Sequence, residues 1–150
     1  MSTTFNDKQK EIVNLFKACS SEDDKYKKII EFGKKLPLLE EQYKVPENIV
    51  KGCQSIMYLR SFFQNDLVYF QASSEALISA GLAALLIYVY SGETPETILT
   101  TPPHFLDELG INANLTPSRA NGLYSVHLRM KQEALKILVG RNRADSTGQG

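Results

Sequence analysis

Along the first forty positions, apolar residues recur at helical rather than strand spacing. Ile12, Val13, Phe16 and Cys19 form one stripe, with Asn6 predicted as the cap and Gln9 as its capping-box partner. Ser20-Ser21 interrupts the stripe and leads into a second predicted helix. Glu22, Asp23 and Asp24 fill its first turn, Tyr26, Ile29, Ile30 and Gly33 form its buried side, and Lys34 and Lys35 lie near its end. That order of charges complements the helix dipole, and Pro37 stops the helix because proline cannot continue the hydrogen-bond ladder. Residues 38–50 show no clean period, contain Pro46, and are expected to be loop. The texture then changes. Aromatic and β-branched residues at 56–63 and 67–70 flank the polar Gln64-Asn65-Asp66, which predicts a hairpin. Both strand faces are largely apolar, so helices are expected over at least one of them. Ser73 or Ser74 is the expected cap of a helix that is apolar nearly all round, therefore central, and ended by Gly92. Thr94-Pro95-Glu96 opens a brief helix, and Pro102-Pro103 opens another that ends at Gly110. Thr116 or Ser118 caps a long last helix with Leu123, His127, Met130, Ala134 and Leu138 on one face and Gly140 at its close.

Two helices, a hairpin and four helices make an α+β domain: a small antiparallel sheet packed against several helices, over residues 1–140. The polar, small-residue tail 141–150 is expected to be disordered. A chain of 150 residues can bury one sizeable core. With 17 basic and 17 acidic side chains it has no net charge, which argues against nucleic acid as a partner. The longest apolar run, 76–90, falls short of the ~20 residues that cross a bilayer and is broken by Ser79 and Gly81, so no membrane span is expected. Two cysteines far apart, with no leader-like segment near the start, fit a reducing cytoplasm.

Candidate chemistry centres on Val50-Lys51-Gly52-Cys53-Gln54-Ser55. A lone cysteine is more often a buried small hydrophobe than a reactive group. Here Lys51 and Gln54 have no place in an apolar core, and Gly52 permits a backbone excursion, so a presented thiol is expected. The Lys51 ammonium would favour the thiolate. Cys19, on an apolar stripe, reads as packing. Cys19, Cys53, His104 and His127 are too irregularly spaced for a compact zinc site, so no metal is expected. His127 reads as a core histidine and His104 as an exposed one at a helix start. No acyl-transfer signature surrounds the thiol, and the glycines form no phosphate-cradling loop.

Gly52-Cys53-Gln54-Ser55 followed by Leu115-Thr116-Pro117-Ser118-Arg119-Ala120-Asn121-Gly122-Leu123 resembles the SufE family of sulfur-acceptor proteins in iron–sulfur cluster assembly. Tyr26 with Ile29-Ile30-Glu31 and Gly33, Leu36-Pro37, Ser74-Glu75-Ala76, Gly81-Leu82 and Thr94-Pro95-Glu96 extend the resemblance over most of the chain. It implies a SufE/IscU-like fold, as a monomer or homodimer. It also implies that Cys53 takes persulfide sulfur from a SufS-like cysteine desulfurase, stimulates that enzyme, and passes the sulfur to a SufBCD-like cluster scaffold. Gly52, Gln54 and Arg119 would support Cys53, while Lys51 and Glu75 are candidate partner-facing residues. The protein would not be an enzyme by itself and would carry no cofactor, the pyridoxal phosphate belonging to the desulfurase. Tyr58 stands where many relatives carry tryptophan, and Ala80 where a basic residue is common. A regulatory binding module without sulfur carriage is the alternative; a peroxide-reducing thiol protein, with Cys19 a poor resolving thiol, is a third.

Overall fold

Asn65 and Asp66 both adopt positive φ, 54° and 66°, the geometry of a two-residue turn whose twist matches that of the strands it joins. The computed structural model, which describes residues 4–111 and 115–147 and only the backbone of 142–147, pairs β1 (Met57–Gln64) with β2 (Leu67–Ser74) across that turn. The register sets Leu59 opposite Ala72 and Ser61 opposite Phe70. Met57, Leu59, Val68, Phe70 and Ala72 are buried on one face of the ribbon. On the other face Arg60 lies over the Tyr43 ring at 3.7 Å and over Phe62 at 4.7 Å, and Phe62 stacks on Tyr69.

Helix starts account for most departures from expectation. In α1 (Phe5–Lys17) the cap is Thr4, in a reciprocal box with Asp7, whereas Asn6 and Gln9 bond each other. Phe5 explains the earlier start: as the first helical residue it is buried against Tyr90, with ring centroids 4.9 Å apart. The buried stripe is Phe5, Ile12, Val13 and Phe16; Cys19 lies past the helix end and is only half-buried, so it is not core packing. In α2 (Glu22–Lys34) the Ser21 cap accepts from Asp24, and the buried residues are Ile29 and Phe32. Short 3-10 turns at Glu41–Tyr43 and Pro46–Asn48 break up the loop that follows.

The central helix α3 (Leu77–Tyr90) starts after Ala76, with no side-chain cap. Ser73 and Ser74 are the last residues of β2, because the ladder runs on to Met57↔Ser74. Ser74 Oγ still accepts from the Ala76 amide. α3 is buried nearly throughout, packed against α1, α2, β2 and the last helix. Its closest approach is to α2. A Cβ added at Gly81 would collide with the Ile29 carbonyl, and one added at Gly33 would lie 2.8 Å from the Gly81 nitrogen.

α4 (Pro95–Thr100) and α5 (Phe105–Glu108) bury Ile98, Phe105 and Leu106 at one end of the core. In α6 (Pro117–Thr147) the Thr116 hydroxyl accepts from the Arg119 amide, as a cap does. The expected end at Gly140 is corrected: α6 runs through it. Gly92 and Gly110 take the positive φ that ends a helix; Gly140 does not, and a glycine without that reversal only lowers helix propensity by about 1 kcal/mol. Residues 141–147 therefore continue a helix where a disordered tail was expected, and 148–150 lie outside the described residues. Among the described residues no helix is long and apolar enough to cross a membrane.

Candidate functional site

The backbone between the 3-10 turns and β1 is pinched at its base. Val50 donates to the Met57 carbonyl at 2.8 Å, and Ile49 bridges to Tyr58, so the chain between them is thrown out as a loop. Gly52 gives that loop its direction. Its φ of +94° is a region other residues rarely enter, and a side chain there would run into the Ser125 hydroxyl on α6. The next residue, Cys53, therefore points at α6: its Sγ lies 3.8 Å from the Gly122 carbonyl, a distance that allows a weak S–H donation.

Cys53 is half-buried at one wall of a cleft of about 440 Å³. Met57, Leu82, Ala83, Leu123 and Val126 give the cleft an apolar floor, while Gln54, Ser55, Ser79, Ser118 and Arg119 bring polar groups to it. Two sequence motifs some sixty residues apart thus meet at one opening, the first through Cys53 and Gln54, the second through Ser118, Arg119 and Gly122. Arg119 is exposed, at the third position of α6. Its backbone amide serves the Thr116 cap, and no hydrogen bond or ion pair among the described residues holds its guanidinium.

Electrostatics at the thiol differ from expectation. Burial pushes the Cys53 thiol above its ordinary value, because a thiolate there would lose water without gaining a counter-charge. Lys51 does not reverse this. It is exposed and lines a different groove, with Ser125, Leu128 and Arg129, so the expected ammonium-stabilised thiolate is corrected to a sheltered, protonated thiol. Glu75 also lies outside the cleft, exposed on a neighbouring surface with Lys44 and Tyr58. Ala80 is buried and lines the groove between α2 and Leu38 rather than a charged docking face.

Ser125 lies outside both sequence motifs, and Gly122, inside the second, has no role that the sequence assigns. Their spacing on a helix is visible there, but nothing local indicates that a loop seventy residues earlier will lie against them. His127 Nε2 is buried with no hydrogen-bond partner among the described residues, and its ring stacks on Tyr90 at 5.4 Å. His104 stands just before α5, away from the cleft. No group of three or more His, Cys, Asp or Glu side chains among the described residues is placed to hold a metal ion.

Residues 10–134 match the family described as SufE, Fe-S metabolism associated domain. The chain is 37% identical over 143 residues to SufE-like protein 1, chloroplastic/mitochondrial, of Arabidopsis thaliana; the match takes in 95% of this chain and 38% of that longer protein. It is 34% identical over 131 residues to an uncharacterized SufE-like protein of Synechocystis, covering 87% of this chain and 82% of that one. Another SufE-like protein, from Rhizobium etli, is 33% identical over 129 residues, with 83% and 87% covered. Among solved structures, a hypothetical protein from Thermus thermophilus superposes with a TM-score of 0.72 at 26% identity, covering 88% of this chain and 96% of that one.

Proposed function

The chain belongs to the SufE family of iron–sulfur metabolism proteins, and from that membership and the geometry around Cys53 we propose that it is a sulfur carrier. A cysteine desulfurase is the donor in this reading, its pyridoxal phosphate staying with it, and a cluster scaffold is the recipient. Cys53 thiolate attacks the outer sulfur of the donor's cysteine persulfide. A bond forms between Cys53 Sγ and that sulfur, the donor's sulfur–sulfur bond breaks, and the donor cysteine leaves as a thiolate. The proton lost by Cys53 goes to solvent or to a basic group of the docked donor. Delivery is the same exchange with an acceptor thiolate as attacker. No net oxidation occurs in either step.

The observation that carries this reading is the placement of Cys53, at the wall of an apolar-floored cleft with its Sγ against the Gly122 carbonyl of α6. A persulfide is lost readily to reductants, so a carrier benefits from a niche that is dry on one side and open to a partner on the other. Gln54 and Ser118 bring polar atoms to the rim. Arg119, whose guanidinium no hydrogen bond or ion pair holds among the described residues, supplies a cation for the incoming or bound sulfur anion.

Intact-protein mass spectrometry tests this. After incubation with a cysteine desulfurase and cysteine under non-reducing conditions, the protein is expected to gain one sulfur (about 32 Da), reversible by reductant, mapping to Cys53 and absent from Cys53→Ser. Stimulation of the desulfurase by Cys53→Ser equal to that by the wild type, with no adduct on the native protein, would instead make this a regulatory binding module.

A further inference from the structure

Three residues on one stripe of α6 hold the chain that leads into Cys53. Gly122, Ser125 and Arg129 are spaced three and four apart, so they stack along the helix. They meet the incoming segment in reverse order: Arg129 at Glu47 and Ile49, Ser125 at Gly52, Gly122 at Cys53. Arg129 is the polar anchor of this seam. One terminal nitrogen donates to the Ile49 carbonyl at 3.0 Å, the other to the Glu47 carbonyl. Its Nε donates to Glu133 at 2.9 Å, and the second oxygen of Glu133 accepts from Ser61 Oγ on β1 at 3.2 Å. Both charged side chains are largely covered, at 17% and 18% exposed, unlike the i, i+3 pairs Lys25–Glu22 and Lys28–Glu31 on α2.

From this geometry we infer that Arg129 is a positioning residue for Cys53, fixing the backbone ahead of the loop so that the thiol stays under α6. The planar guanidinium suits the task. Its fork of donors reaches two carbonyls and a carboxylate at once, which a lysine ammonium on a flexible stem does not reproduce. Glu133 orients the fork and ties it to β1, so helix, sheet and loop meet in one network. With the fork removed, the Glu47 and Ile49 carbonyls turn to water and the loop opens more often. The consequence is greater exposure of the thiol, with no change in its chemistry. The inference draws its meaning from Cys53 as the acceptor, but its test does not depend on that reading.

The full chain is treated with iodoacetamide, and alkylation of Cys53 and of Cys19 is followed separately by peptide mass spectrometry in wild type, Arg129→Gln, Arg129→Lys and Glu133→Gln. Cys19, in the connection between α1 and α2, is the internal reference. Arg129→Gln is expected to raise the Cys53 rate about tenfold, as when one or two part-buried hydrogen bonds cease to oppose a local opening, with Cys19 unchanged. Arg129→Lys and Glu133→Gln should fall between it and the wild type; they keep the test available if Arg129→Gln does not fold. A Cys53 rate within about twofold of wild type in all variants that fold, or a parallel rise at Cys19 that reports general loosening, would overturn the inference. If Cys53 never acquires sulfur yet this contrast holds, the carrier reading fails and the anchor stands. If sulfur loads and the contrast is absent, the anchor fails alone.

Discussion

At the scale of single residues, the site depends on a glycine and the hydroxyl it faces. Gly52→Ala would force a side chain into a positive-φ position and against Ser125. The expected cost is about 1–2 kcal/mol in urea denaturation, together with faster alkylation of Cys53 as the loop moves off α6. Adding Ser125→Ala should recover the steric part and leave the φ part; a double variant no better than the single would show that the two do not meet. Cys53 itself was legible in the sequence because its neighbours are polar and glycine-hinged. Its protonation state was not. Lys51 is two residues away along the chain, but it points into another groove, so burial decides the thiol's affinity for its proton. The Arg129–Glu133 contact was hidden for the same reason: an i, i+4 pair looks identical in sequence whether solvated or covered by a loop.

At the scale of elements, apolar patterning shows α1, α2, α3, α6 and the hairpin, proline and glycine mark α4 and α5, and the two 3-10 turns lie in a segment expected to be loop; the other differences fall at element ends. Caps differ from those predicted where tertiary contacts take precedence: Phe5 draws α1 toward its own start, and the ladder between β1 and β2 claims Ser73 and Ser74. The glycine at 140 predicts a helix end that the backbone does not make, because composition shows the residue but not its φ. Where glycine serves close approach, its role is steric. Gly81→Ala would drive a methyl group into the Ile29 carbonyl across the α2–α3 contact, and neither helix can retreat without opening the core. A loss of about 3 kcal/mol or more in stability is expected, against a gain of up to about 1 kcal/mol for an alanine at the open Gly140 position, where helix propensity favours it. Chemical denaturation of the two variants side by side measures the difference.

At the scale of the whole molecule, the buried set among the described residues is apolar apart from the Tyr90 phenol, and the His127 imidazole stacks on that ring. Burial, with a smaller contribution from the Lys131 charge, lowers its pKa from 6.5 to about 4. The unfolded chain then binds a proton that the folded chain refuses, so the contribution of His127 to stability is intact above pH 6.5 and is lost as pH falls toward 4. Allowing for its partial exposure, that is on the order of 2 kcal/mol. His127→Gln should flatten the stability profile in this window; an unchanged slope would mean that another group drives acid unfolding.

The run of contacts from Arg129 to Gly122 also bears on what insertions this stretch of chain tolerates. One extra codon anywhere between them would turn the two ends of the helix by about 100° relative to each other, so that Arg129 and Gly122 could no longer face the same strip of loop. A surface helix ordinarily absorbs such a change by rotating its solvent side, but here both sides of the insertion are already committed to a partner. Natural variants of this protein should therefore carry gaps before the Glu47 turn or beyond Glu133 far more readily than in either of the two segments lying side by side between those points.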